Sequence, residues 1–91
     1  MEFKGTRGKW EYRYDGNDYR YDIVSDYGLI CSTMSAGIKD RYNALLISKA
    51  PEMLEMLKKL KDAMLELMEH QDGWEEDYEE LEKLIKEATE L

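Results

Sequence analysis

The sequence predicts an α+β fold: an N-terminal three-stranded antiparallel meander, then a short helix and a long helical hairpin, or one long helix in its place. Three observations predict it. Apolar and aromatic residues alternate with period two between Trp10 and Met34. After Met53 they recur at spacings of three and four. Between the two patterns a single proline, Pro51, divides the helical stretch NALLISKAPEMLEMLKKL. Period two marks a strand with one buried face, and a three-four period marks a helix with one buried stripe.

In the first strand Trp10, Tyr12 and Tyr14 share one face, with Lys9, Glu11 and Arg13 on the other. Asp15-Gly16-Asn17-Asp18 is turn material, and Tyr19-Arg20-Tyr21-Asp22-Ile23-Val24 reads as the second strand. A symmetric turn would set Tyr14 against Tyr19, Tyr12 against Tyr21, Trp10 against Ile23 and Arg13 against Arg20. Ser25-Asp26-Tyr27-Gly28 turns the chain into a third strand, Leu29-Ile30-Cys31-Ser32-Thr33-Met34. Ser35-Ala36-Gly37 loosens it, and Asp40 is the expected N-cap of a short helix through Ser48. Pro51 disfavours helix at Ala50, yet suits the first turn of a new helix, where its missing N–H would be unpaired anyway. The corner therefore ends one helix and starts another.

The stripe Met53, Leu57, Leu60, Met64, Leu67 continues in phase into Trp74, Tyr78, Leu81, Ile85 and Ala88. Phase continuity favours a single long helix. Gly73, costly inside a helix by about 1 kcal/mol, and the capping-box spacing of Asp72 and Glu75 favour a hairpin. The expected elements are a sheet over 9–34 and helices over 39–49, 51–71 and 74–90, in a single domain of 1–91.

Composition bounds the chemistry. The net charge of −8 is concentrated in residues 69–91, where ten acids meet only Lys83 and Lys86; the preceding 68 residues hold eleven acids and eleven bases. That anionic end disfavours direct nucleic-acid binding and favours a basic partner. One cysteine, Cys31, cannot form an intrachain disulfide, and no apolar run suits a signal peptide or a membrane span. Cytoplasmic residence and no membrane partner are expected. His70 stands without a second ligand at metal spacing, and no phosphate loop or nucleophile elbow occurs. The chain is therefore expected to be no enzyme and to need no cofactor.

Two binding surfaces stand out. Trp10, Tyr12, Arg13, Arg20 and Asn43 combine aromatic faces and guanidinium groups that suit stacking on a base and holding a phosphate. Glu75, Glu76, Glu79 and Glu80 form an acidic helix face that would fit a basic groove on a protein. The apolar stripes also exceed what one small sheet can cover, so homo-oligomerisation is expected.

The chain resembles a group of small phage and prophage proteins. Thr6-Arg7-Gly8-Lys9-Trp10 is similar to their HTPGPW opening, NALLISKAPEMLEMLKKL to their NARLIAAAPELLEALKAL segment, and LEKLIKEATEL to their closing ARAAIAKATG. Gly5 stands where the opening has histidine, and Lys49 replaces a small residue. The resemblance implies an accessory product made in the cytoplasm of an infected host. Its architecture is similar to the Thoeris anti-defence class, which sequesters a cyclic nucleotide signal between subunits. That likeness implies a counter-defence sponge for a nucleotide-derived immune signal. An acidic inhibitor of a host defence protein, of anti-CRISPR or nucleic-acid-mimic type, is the alternative.

Overall fold

The computed structural model describes residues 2–16, 20–33 and 38–90. Strands β1 (Glu11–Asp15), β2 (Arg20–Ser25) and β3 (Gly28–Thr33) are followed by helices α1 (Ile38–Ser48), α2 (Ala50–Met68) and α3 (Glu75–Thr89). The chain divides into two compact units, Thr6–Glu52 and Met1–Gly5 with Met53–Leu91. β1 and β2 each end one residue beyond their sequence patterns and β3 starts one residue earlier; α1 has its expected length, shifted by one residue, while α2 ends three residues short of 71 and α3 is one residue shorter at each end. The expected Asn17-Asp18 turn, Tyr19, Met34 and the Ser35-Ala36-Gly37 link lie outside the described residues.

The first unit is the meander with α1. All three strands are antiparallel in the order β1-β2-β3, as the alternation predicts. The register, however, is displaced by two residues from the symmetric expectation: Tyr14 faces Tyr21, Tyr12 faces Ile23, Arg13 faces Asp22 and Asp15 faces Arg20. A two-residue displacement keeps every side chain on its face and changes only its partner. Here the change replaces an Arg13–Arg20 opposition with two opposite-charge pairs, the arrangement that cross-strand electrostatics favours. The aromatic ladder survives in altered form. The rings of Tyr14 and Tyr21 lie 5.1 Å apart and those of Tyr12 and Tyr21 6.2 Å apart, both within the range of favourable tilted pairs. Ile23, opposite Tyr12 and Cys31, is fully buried. A bulge between Ile23 and Val24 offsets the rest of β2 against β3.

Helix α1 packs against all three strands. Its buried positions are Asp40, Ala44 and Ser48, spaced four apart along one face. Small side chains at Ala44 and Ser48 let the helix approach the sheet closely, while Leu45 and Leu46 point outward. Asp40 is not the N-cap: the helix begins at Ile38, and Asp40 is a buried residue of its first turn. Its carboxylate still lies at the positive end of the helix dipole. The helix closes with a tight turn in which the Lys49 N–H donates to the Leu46 carbonyl at 3.1 Å and the Ser48 hydroxyl to that of Leu45 at 2.7 Å. Only Lys49 separates α1 from α2, and Pro51 occupies the first turn of α2 as expected.

In the second unit α2 and α3 are separate helices. Lys61 of α2 reaches Glu82 of α3 at 3.6 Å and lies 6.0 Å from the centre of the Tyr78 ring. Those pairings fold the helices back antiparallel, so the hairpin prevails over the single long helix. Gly73 supplies the turn with φ +102°, a left-handed conformation that a side chain would strain. The expected Asp72–Glu75 capping box does not form. Trp74 is the N-cap residue and makes no side-chain capping bond, its indole N–H donating instead to the Gln71 side-chain oxygen at 3.5 Å, while the Glu75 carboxylate accepts the Gly73 N–H at 3.1 Å. The glutamate thus caps backbone inside the turn itself. Met64, Ile85 and Thr89 are the buried residues of the two helices.

Candidate functional site

A shallow cleft of about 240 Å³ opens in the first unit between the start of β1 and the C-terminal end of α1. Lys9, Trp10, Glu11 and Tyr12 form one wall, and Leu45, Ser48 and Lys49 the other. The local chain explains why Trp10 stands here. Gly8 adopts φ +92°, accessible at little cost only to glycine, and the chain then folds back so that the Trp10 indole Nε1 donates to the Thr6 carbonyl at 3.1 Å. The polar edge of the indole is thereby satisfied and its apolar body is left half-buried, the usual arrangement for tryptophan. The Thr6-Arg7-Gly8-Lys9-Trp10 stretch is thus a short structural clasp that fixes an aromatic plane.

The cleft carries two ammonium groups and one carboxylate. Lys9 is 3.9 Å from Glu11, a loose and exposed pair worth little energetically. Lys49 follows the last turn of α1, where a cation complements the negative end of the helix dipole. The arrangement offers an aromatic face, an apolar Leu45 wall and a weakly cationic rim. It can stack a planar ring and neutralise one anionic group beside it. Its volume falls below the ~300–1,000 Å³ of a site that encloses a drug-sized ligand. A ring fits, and a whole nucleotide would extend onto the surface.

The structure brings together two of the five residues expected to bind a ligand. Trp10 and Tyr12 line the cleft. Arg13 is exposed and lies 3.9 Å from Glu11. Arg20 is taken up by Asp22 at 2.8 Å and Asp15 at 3.7 Å, so its charge is spent within the sheet. Asn43 is exposed on α1 and does not line the cleft. Asp22 anchors that charged face: the Ser32 hydroxyl, 2.6 Å away, and then Arg20 hold its carboxyl below the usual carboxylate range. Lys9, Leu45, Ser48 and Lys49 join the site without having been singled out. Lys49 had a signal, as the cation standing where the similar segment carries a small residue; Ser48 and Leu45 had none.

On α3, the side chains of Glu76, Glu79 and Glu80 are exposed and make no hydrogen bond or ion pair among the described residues, and the Glu75 carboxylate holds the Gly73 N–H. At the inner edge of the helix, burial first, and then the Glu82 carboxylate, push the Tyr78 hydroxyl up. Glu82 is held low by Lys86 and by Tyr78. That cluster joins α2 to α3. His70 is exposed after the end of α2, and no cluster of three or more His, Cys, Asp or Glu suited to a metal ion occurs among the described residues.

The family model of Salmonella phage P22 protein Y8K6 matches residues 1–90. The chain belongs to this family. The Y8K6 match spans both units and bears out the resemblance to small phage proteins. No curated protein and no solved structure matches the chain. No helix among the described residues of this Y8K6 family member is long and apolar enough to cross a membrane.

Proposed function

We propose that this phage protein is a non-enzymatic counter-defence factor that captures a nucleotide-derived immune signal in the cytoplasm of the infected host. The observation that carries the reading is the cleft, in which Trp10 and Tyr12 stand beside Lys9 and Lys49. A base stacked on the indole would place its phosphate toward the ammonium groups, as aromatic and cationic side chains combine at nucleotide sites. Membership of a phage family supports action inside an infected bacterium. Capture without turnover needs only binding, which an aromatic plane flanked by ammonium groups would supply.

Fluorescence titration tests this directly. In a Trp74→Phe background the emission reports Trp10 alone, since the chain has two tryptophans. Cyclic ADP-ribose isomers and cyclic dinucleotides are the probes. One of them is expected to quench Trp10 and to lose roughly tenfold in affinity on Lys49→Glu, by reversal of one charge near a phosphate. Absence of quenching by every probe at millimolar concentration would overturn the reading.

The bare carboxylates of α3 favour a second reading, an inhibitor of a basic host defence protein. Capture of such a partner from host lysate should weaken with salt and disappear on reversing Glu76, Glu79 and Glu80. Salt-insensitive capture speaks against it.

A further inference from the structure

We propose that α2 is the self-association face of this protein, taking the α2 of a second copy in antiparallel orientation. Met53, Met56, Leu60, Ala63 and Leu67 follow one another at spacings of three, four, three and four, which is the seam of two heptads. All five are exposed, Met56 at 64% and Leu60 at 50%. The neighbouring row, Leu57 and Met64, is turned further in: Met64 is 6% exposed and Lys61 beside it reaches α3. The helix therefore carries two apolar rows, one used within the hairpin and one bare. Only four hydrophobic residues of the described chain are buried, Ile23, Ala44, Met64 and Ile85. So small a core is commonly completed by association.

Charge complementarity selects the occupant and its direction. Lys59 and Glu66 precede the seam residues Leu60 and Leu67 on the outer flank, and neither has a partner among the described residues. In an antiparallel pair centred between Leu60 and Ala63, Leu60 packs against Ala63 of the second copy and Met56 against Leu67. Large side chains then face small ones at the centre, as close packing requires. The same register sets Lys59 beside Glu66 of the second copy, twice by symmetry. A parallel pair would instead set Lys59 beside Met64 and Glu66 beside Gln71, leaving both charges unanswered. The seam is self-complementary in one direction only.

Sedimentation equilibrium of the full chain, with far-UV circular dichroism as the check on folding, decides the matter. The wild type is expected to dimerise reversibly. Lys59→Glu and Glu66→Lys should each weaken the dimer roughly tenfold, through two lost attractions and two new repulsions. The double variant Lys59→Glu/Glu66→Lys should recover wild-type affinity, because the pair is restored in reverse. Leu60→Glu should abolish association while the helical signal persists. A wild type that stays a single copy at hundreds of micromolar overturns the proposal, whatever else it captures. So does a dimer indifferent to the single reversals, or a double variant no tighter than the singles.

Discussion

Asp22 shows how single residues of the sheet divide between structure and binding. On its face of β2 it accepts from the Ser32 hydroxyl and from Arg20, so its ionised form is favoured and its carboxyl is held below the ordinary value of 3.8. A carboxyl held low in the folded state contributes stability that is present above its unfolded value and lost as pH falls through its folded one. Ser32→Ala removes the leading cause. The Asp22 titration, followed by NMR, should then return toward 3.8. The variant's deficit in stability at neutral pH should shrink as the solution is acidified below the carboxylate range. An unmoved Asp22 titration would show that Ser32 does not set it. That Trp10 and Tyr12 share one side of the chain, and so line one cleft, was legible from the period-two pattern. The engagement of Arg20 by Asp22 and Asp15 was not, because it depends on a register that a symmetric turn misplaced by two residues.

At the scale of elements the hairpin turn decides the C-terminal half. The apolar phase runs unbroken from Met53 to Ala88, and by pattern alone one helix serves as well as two. Gly73 breaks the tie, since its φ of +102° reverses the chain and no neighbour lies within 4 Å of where a Cβ would sit. Any cost of a side chain there is therefore backbone strain, with no clash to relieve. Gly73→Ala is expected to lower the stability of the folded chain by about 1 kcal/mol. Urea denaturation measures it, and an unchanged midpoint would contradict the left-handed turn. In α1, Asp40, Ala44 and Ser48 face inward and Leu45 and Leu46 outward. Hydrophobicity alone would have rotated that helix the other way. Close approach to the sheet favours small residues, and this preference outweighs burying two leucines.

For the whole molecule the decisive quantity is how little is buried. Among the described residues thirteen large apolar or aromatic side chains are exposed against four buried hydrophobic ones, so a chain that self-associates should owe part of its stability to its own concentration. Thermal melts across a hundredfold range of protein concentration are expected to rise by several degrees for the wild type. Leu60→Glu should melt at one temperature throughout. A concentration-independent wild-type melt would place the stability in the single copy. By itself the sequence determined the element order, the faces of each strand, the break at Pro51, the acidic end and the phage resemblance. All of these rest on local periodicity, local backbone chemistry and counted charge. Tertiary structure alone decided the strand register, the inward face of α1, the hairpin, and the meeting of Trp10 with Lys49 in one cleft. Each of those is a choice among arrangements that local physics leaves nearly equal, settled by contacts between residues far apart in the chain.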